Sequence, residues 1–300
     1  IVSKNEEAVA LEALDKHPEM VLRSKDFVGW RINWKEKAGN VSDLVSELNL
    51  GIDSVVFIDD EPAERDRVAK ALPEVTVPEW PRNRMLYKQT LNGLRLFNTP
   101  ALTAEDKGRL ELYRSEASRA KTLREVVSFD EWLQSLGMTA VVQPLRNGDI
   151  KRVAQLINKT NQMNLRNRRM PETEIKDWVK TRGALWSLRV IDKFGDMGLV
   201  GIVSVEVGDS VARIIDFLLS CRVMGRKLEE AMLHIAVCYA QSLGLDQILA
   251  EYIPTKKNKP CNEFFARSGF LKQDDGVTYS WDLGKDYPIP DCIDLQDVTS

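Results

Sequence analysis

Hydrophobic and polar residues alternate in blocks that predict helices and strands in turn. In the first hundred residues, Val41, Leu44, Val45 and Leu48 form one helical face, and Gly51 ends it. The apolar run SVVFI at 54–58 predicts a buried strand of parallel type. An acidic loop and a helix to residue 72 follow it, and 75–80 predicts another short strand. This order is typical of a doubly wound α/β sheet.

The second half of the chain predicts a different, mixed α/β arrangement. The predicted helices span 129–137, 149–160, 172–182, 226–243 and 262–269, and the predicted strands span 139–145, 184–192, 199–207, 211–220 and 247–253, before a final hairpin. The charged stretch between the two halves is helical in pattern. We therefore predict a first domain at 1–98, a helical connector at 99–127 and a second domain at 128–300.

Composition and charge exclude several classes of protein. The chain has 300 residues and a net charge of −3, so no overall positive field would draw it to nucleic acid or to an anionic membrane. No apolar run reaches the roughly 18 residues of a membrane span. We see no signal peptide at Ile1. The 4 cysteines show no CxxC spacing and there are 2 histidines, so we expect a soluble cytoplasmic protein with neither a structural zinc site nor a disulfide framework.

The acidic pair after the predicted strand 54–58 is the first candidate site. Asp59 and Asp60 lie where a parallel strand ends, at the edge of an α/β sheet where ligands bind. Adjacent carboxylates suit Mg²⁺, which keeps waters and phosphate oxygens among its ligands. The alternative is that acidic residues here stabilise the positive end of the following helix. The residue types leave these two interpretations open.

Longer motifs in this half resemble a known family. Ser3, a later lysine and the acidic pair are similar to motifs two to four of the haloacid-dehalogenase phosphatase superfamily, and IVSKNEE, HPEM, DFVGWRINWKEKAGN and VVFIDDEPAERDRV resemble its FkbH-like family. The resemblance implies that Ser3 binds a phosphoryl group, that Lys37 neutralises it and that Asp59 or Asp60 holds Mg²⁺. Lys37 is preferred to Lys35 because family members read W-x-x-K-x-x-N.

The first half also departs from that superfamily. Its nucleophile is the first aspartate of a D-x-D-x-T motif, which does not occur in these 300 residues. An aspartyl-phosphate intermediate is therefore not expected of this chain as given. Since the chain opens on what resembles the second strand of the fold, we expect the motif to lie upstream of Ile1.

The stretch LLSCRVMGRKLEEAML, residues 218–233, is the second candidate site. It resembles the strand-to-helix turn of GNAT-type acyltransferases, where R/Q-x-x-G-x-G/A lets backbone N–H groups bind a pyrophosphate. The resemblance implies cofactor contacts from Arg222, Gly225 and Arg226, although Lys227 replaces the last small residue. NKPCNEFFARSGF resembles the segment beside the pantetheine arm, which implies a further cofactor contact from Asn258.

Cys221 is the candidate for an enzyme-bound acyl thioester. It is predicted to lie beside Arg222 at a helix start, and both features favour a thiolate. The alternative is a small buried apolar residue, the usual fate of a free cysteine. A basic segment, KTNQMNLRNRRM, has two interpretations as well: a surface for an anionic donor or carrier, or a solvated loop.

The second half also resembles the FkbH-like family in NKTNQMN, DKFGDMGLVGIV, SCRVMGR and YIPTKKN. That resemblance implies an enzyme of polyketide biosynthesis with Mg²⁺ in its first domain. Its donor would be 1,3-bisphosphoglycerate, and it would pass the glyceryl group to the phosphopantetheine thiol of an acyl carrier protein. Two alternatives remain: a GNAT-like enzyme that uses acyl-CoA beside a non-catalytic first domain, and a module that docks a carrier protein.

Overall fold

The computed structural model describes residues 1–48, 50–98, 108–123 and 125–297, and these divide into two compact units. Unit 1 runs from Ile1 to Arg114, and unit 2 begins at Ser115. The dividing point falls inside a helix, Arg109–Leu123, within the predicted connector. Residues 99–107 of that connector lie outside the described residues. The domain limits 1–98 and 128–300 stay predictions.

Helices and strands follow one another through both units, as an α/β chain requires. The helices are α1 Glu7–Lys16, α2 Lys37–Glu47, α3 Pro62–Ala71, α4 Tyr87–Gly93, α5 Arg109–Leu123, α6 Phe129–Leu136, α7 Ile150–Lys159, α8 Glu172–Thr181, α9 Leu228–Ser242 and α10 Lys259–Arg267. The strands are β1 Val2–Ser3, β2 Arg31–Ile32, β3 Met138–Pro144, β4 Met163–Asn164, β5 Gly183–Asp192, β6 Gly195–Val207, β7 Val211–Leu219, β8 Gln247–Glu251, β9 Leu271–Lys272, β10 Thr278–Asp282 and β11 Ile293–Asp297.

Unit 1 has less sheet than its sequence predicts. β1 pairs with β2 in parallel, and the predicted strands 54–58 and 75–80 are reduced to one parallel bridge between Val56 and Thr76. Thr76 donates its N–H to Val55 O at 2.9 Å, but the next donor on that side would be Pro78, which has no N–H. At the other end the Val55 N–H is used by Ile52 O in a turn. The ladder therefore cannot extend in either direction.

Unit 2 is built on one nine-stranded mixed sheet. Its order is β11-β3-β5-β6-β7-β8-β10-β9, with β4 paired to β7 outside this path. One buried cluster joins the sheet to α7 and α8, and a larger one joins it to α6, α9 and α10. The α/β class predicted from the sequence is confirmed, with apolar helix faces covering both sides of the sheet.

Two elements of unit 2 are absent from the sequence prediction. The predicted elements end at the final hairpin, but residues 293–297 form a further strand, β11, that pairs in parallel with β3. Cys292, just before β11, is partly buried against the core. β4, predicted as loop, pairs with the last two residues of β7. Both pairings join residues far apart in the chain, which local periodicity does not report.

α5 is anchored in unit 2 by a buried ion pair. Arg119 is 1% exposed and binds both carboxylate oxygens of Asp192, at 2.6 and 2.7 Å. Asp192 also accepts the N–H of Phe194 in the turn between β5 and β6. Bidentate pairs of this kind are strong and directional. They fix the end of α5 against that turn.

Replacing Arg119 should therefore destabilise unit 2 strongly. We expect Arg119→Met to cost about 3–5 kcal/mol of unfolding free energy, because it leaves the Asp192 carboxylate buried without its cation. Lys121→Met, on an exposed position of the same helix, should change stability by less than about 0.5 kcal/mol. Urea denaturation of both variants measures the difference. Equal stability of the two would contradict an anchoring role for the pair.

Candidate functional site

A lysine–aspartate contact lies at the centre of the candidate site in unit 1. Lys37 Nζ is 2.6 Å from Asp59 Oδ2, and the two side chains are only 12% and 6% exposed. Lys37 is the first residue of α2, and Asp59 follows the short bridge at Val56. The two residues that the family resemblance singles out, 22 positions apart, therefore touch. Lys35, the rejected alternative, is exposed.

The acidic loop is held in shape by groups that the sequence reasoning did not consider. Arg65 donates to the carbonyl oxygens of Asp59 and Asp60, at 2.7 and 3.2 Å. The second oxygen of the Asp59 carboxylate accepts the N–H of Glu61 at 3.0 Å. Glu61 in turn caps α3 by accepting the N–H of Ala63. The sequence signal for these hydrogen bonds was the position of Arg65, an arginine in the first turn of the helix that follows the acidic loop.

Ser3 lies at the same edge as the start of α2. It ends β1, and because β1 and β2 run in parallel, its partner Ile32 also ends a strand. Asn33 follows at once and exchanges side-chain hydrogen bonds with the buried Asn40 of α2, at 2.8 and 3.3 Å. This amide pair sets where α2 begins, and so where Lys37 lies. The sequence pattern W-x-x-K-x-x-N includes Asn40, but it does not predict the hydrogen bonds between Asn40 and Asn33.

The donor set around the acidic pair decides whether it fits Mg²⁺. Within the described residues, no group of three or more histidine, cysteine or acidic side chains is arranged to hold a metal. Asp60 is exposed, and Asp59 retains acceptor capacity beyond its bonds to Lys37 and Glu61. Mg²⁺ commonly takes one or two carboxylates and completes its shell with water and phosphate. The residues fit a magnesium ion held together with a phosphate ligand.

In unit 2 the strand-to-helix turn differs from the predicted geometry. Cys221 begins a short 3₁₀ turn, Cys221–Val223, and the long helix α9 starts only at Leu228. Cys221 is therefore not at the N-terminus of that helix, contrary to the sequence expectation. Its side chain is exposed rather than buried as a small apolar residue. Arg222 beside it donates to Ser220 Oγ at 3.4 Å.

The predicted cofactor role of Arg226 conflicts with its surroundings. Its side chain is 5% exposed, forms an ion pair with Glu116 of α5 and lies over the ring of Trp132. A guanidinium so enclosed is not directed to a ligand outside the turn, and we assign it a structural role. Lys227 has φ of +62° and binds Asp130 Oδ1 at 2.7 Å. Both cations nearest the helix are committed to carboxylates of the protein.

Glu229 is the residue of this turn that the sequence reasoning missed. It is 2% exposed, and its Oε1 accepts the N–H of Gly225 at 2.8 Å. Its other oxygen, Oε2, is buried with no hydrogen-bond partner among the described residues. Burial raises the pKa of Glu229 to about 7 from its ordinary value of 4.5. A glutamate two residues into a helix, after a glycine turn, was the available signal.

Asn258 was predicted to contact a cofactor, but its side chain is fully used inside the protein. It is 0% exposed; Oδ1 accepts from Tyr252 Oη and Thr255 N, and Nδ2 donates to the carbonyls of Asn164 and Ile253. An amide offers two donors and two acceptor positions, so no capacity is left for a ligand. Asn258 is a positioning residue, and the prediction of direct cofactor contact is corrected.

The predicted basic surface is largely tied into the fold. Arg168 binds the buried Asp216 through Nε and a terminal nitrogen, and it packs over the ring of Trp178. Arg166 pairs with Glu251, and Arg169 donates to Ile157 O and Asn161. These arginines hold the segment between α7 and α8 against β7, β8 and the end of α7. The segment is neither a freely solvated loop nor an open cluster of cations.

A second thiol lies beside a histidine on α9. Cys238 Sγ is 3.3 Å from His234 Nε2, and His234 Nδ1 is 2.6 Å from the carbonyl oxygen of Tyr287. Because a carbonyl only accepts, Nδ1 carries the proton and Nε2 faces the thiol as an acceptor. Burial and the nearby Asp286 and Asp297 raise the pKa of Cys238. The His-x-x-x-Cys spacing on one helix face was the signal for this pair.

Comparisons with known proteins relate the chain to two kinds of structure. No protein-family model and no curated protein matches it. Over 34% of its length it is similar, at 41% identity and a TM-score of 0.33, to the N-terminal part of BF1531 from Bacteroides fragilis, which contains a phosphatase domain and was solved with Mg. The chain spans 28% of that structure.

Two further solved structures are similar to about half of the chain. The ribosomal-protein-S18-alanine N-acetyltransferase of Escherichia coli matches 48% of it at 10% identity, with 94% of that structure covered and a TM-score of 0.37. A Mycobacterium tuberculosis protein solved with CoA and NLQ matches 44% of it at 20% identity, with 72% covered and a TM-score of 0.35. The chain thus has one part similar to a phosphatase domain and another similar to acetyltransferases.

None of the helices in the described part of the chain has the length and apolar character needed to cross a bilayer.

The buried carboxyl of Glu229 should make stability depend on pH. Between its ordinary pKa of 4.5 and its folded value of about 7, the folded state binds more protons than the unfolded state, so unfolding free energy falls as pH rises. The cost above pH 7 is about 3 kcal/mol. Glu229→Gln should remove this fall, whereas Glu230→Gln should keep it. Urea denaturation at pH 5 and pH 8 measures it, and parallel losses in wild type and Glu229→Gln would contradict the buried charge.

Proposed function

We propose that the chain belongs to an FkbH-like glyceryl transferase. It would take the glyceryl group of 1,3-bisphosphoglycerate and pass it to the phosphopantetheine thiol of an acyl carrier protein in polyketide biosynthesis. Unit 1 would bind the phosphate end of the donor with Mg²⁺. Unit 2 would carry the acyl group on Cys221.

The contact between Lys37 and Asp59 is the observation that carries the proposal. The lysine of W-x-x-K-x-x-N and the aspartate of V-F-I-D-D are distant in sequence, yet their charged atoms lie 2.6 Å apart in a largely buried setting. A lysine and a carboxylate held together in this way suit an anionic ligand that arrives with a cation. A simple helix-capping role for Asp59 would not require the lysine.

The residues of unit 1 would divide the work on the donor. Lys37 would place its ammonium on the phosphoryl oxygens, and Ser3, at the end of β1, would donate its hydroxyl to the same group. Asp60 and Asp59 would hold Mg²⁺. When bound, the ion would neutralise charge on the phosphate and its leaving oxygen. Arg65 would keep the acidic loop in position through the two carbonyl groups it binds.

In unit 2 the transfer needs a nucleophilic thiol that a large partner can reach. The Cys221 sulfur would attack the acyl carbon of the donor, a C–S bond would form, and the C–O bond to the phosphate would break with phosphate leaving. The thiol proton would pass to solvent. The carrier thiol would then attack the same carbon and release Cys221. The exposure of Cys221 on its turn supports this role.

A second candidate function rests on the missing D-x-D-x-T motif. Without that nucleophile in the chain as given, unit 1 would be non-catalytic, and unit 2 would use acyl-CoA on another acceptor or dock a carrier protein. The fate of the donor phosphate separates these functions. Only the glyceryl transferase releases phosphate from 1,3-bisphosphoglycerate as the carrier gains mass.

The transfer reaction tests the proposed function directly. Incubating the full chain with Mg²⁺, 1,3-bisphosphoglycerate and a holo carrier protein should add one glyceryl group to the carrier, as measured by intact-protein mass spectrometry. Cys221→Ala should abolish both this product and any acyl-enzyme. Cys238→Ala is the matched control, because Cys238 is also exposed and has a histidine beside it. An unmodified carrier, or loss of acyl-enzyme in Cys238→Ala only, would refute this assignment.

Magnesium binding can be tested without turnover. With inorganic phosphate present, Mg²⁺ should raise the melting temperature of the wild-type chain, because a ligand that binds only the folded state stabilises it. Asp60→Asn should lose most of this rise. Asp66→Asn, an exposed position on α3 paired with Lys70, should keep it. The same rise in both variants would exclude Asp60 as a magnesium ligand.

A further inference from the structure

The turn between β7 and α9 has the backbone of an anion site. Gly225 has φ of +74°, a conformation that side-chain-bearing residues rarely adopt, and its N–H points into the turn. The turn leads directly into the N-terminus of α9, a helix of 15 residues whose positive end favours negative charge. Backbone N–H groups at such a helix start commonly bind phosphate.

A group of the protein itself already occupies this place. The Gly225 N–H donates to Glu229 Oε1 at 2.8 Å, and the Glu229 carboxyl also accepts from its own backbone N–H. The side chain is 2% exposed. The acceptor is therefore enclosed in the turn and does not lie over its surface.

The second carboxyl oxygen of Glu229, Oε2, is buried and has no hydrogen-bond donor facing it in the described part of the chain. The cations nearest to it in sequence pair elsewhere, Arg226 with Glu116 and Lys227 with Asp130. A pyrophosphate entering this turn would meet a carboxylate of the same sign and would compete with it for the Gly225 N–H.

We infer that Glu229 is a specificity residue, whose carboxyl group closes the turn to the pyrophosphate of CoA. The thioester partner of unit 2 is then one that brings no pyrophosphate: phosphopantetheine, whose single phosphate stays attached to a carrier protein. The statement about the partner rests on the proposed function. The exclusion of CoA rests on the turn itself.

CoA binding to the full chain tests the inference. In isothermal titration, wild type should bind CoA at least tenfold more weakly than Glu229→Ala, in which the Gly225 N–H and the space beside it become available. Glu229→Gln, which keeps the oxygen but removes the charge, should be intermediate. Glu230→Gln is the matched control on the next helical position and should equal wild type. Free phosphopantetheine, which lacks the pyrophosphate, should bind all four proteins alike.

Each outcome bears on the inference separately from the transfer reaction. Circular dichroism and melting temperature establish that the variants are folded. If Glu229→Ala does not fold, the CoA affinity of Glu229→Gln is compared with that of wild type instead. Equal CoA affinity in all variants, no detectable CoA binding in any of them, or tighter binding by wild type would overturn the inference. A gain in Glu229→Ala together with a failed glyceryl transfer would leave the closed turn standing and reject the proposed function.

Discussion

The position of the candidate site in unit 2 depends on the hydrogen bonds of the Asn258 side-chain amide. A buried amide must satisfy two donors and two acceptor positions, and Asn258 does so with Tyr252, Ile253, Thr255 and Asn164. β7 pairs with β8 only over Val211–Ile214, and beyond that point β4 takes the place beside β7. By binding Asn164 O, Asn258 holds β4 between the two strands. The turn that carries Cys221 starts where β7 ends, so its position depends on the hydrogen bonds by which Asn258 holds β4 beside β7.

The partners of the buried carboxylates distinguish those that stabilise the fold from those at the candidate sites. Asp192 and Asp216 each accept two bonds from an arginine, and both pairs fasten a segment outside the sheet to a strand. Asp59 accepts one bond from Lys37, and it lies beside an exposed carboxylate at the edge of unit 1. Glu64 and Glu229 each have one buried oxygen without a hydrogen-bond partner among the described residues. The other oxygen of Glu64 binds Lys4, whereas the Glu229 carboxyl accepts from the backbone N–H groups of Gly225 and of Glu229 itself. Such a charge lowers stability, and its retention is best explained by what it does at the turn.

Much of the fold of unit 2 could be predicted from the sequence. β7 and α9 begin and end within about two residues of their predicted limits, because strands buried on both faces and helices with apolar faces leave a clear local pattern. The errors occur where a distant residue decides. β11 forms because β3 offers a free edge, β4 because β7 and β8 diverge, and the strand at 54–58 stays short because Pro78 cannot donate.

The sequence by itself determined the α/β class, the apolar faces of the helices and the residue types available at both sites, because these depend on local periodicity and side-chain chemistry. The tertiary structure decided the role of each residue. It brought Lys37 to Asp59, enclosed Arg226 with Glu116, used the whole Asn258 amide and directed Glu229 to the Gly225 N–H. The role of a polar side chain depends on the groups that it contacts. Those groups belong to distant parts of the sequence, which only folding brings together.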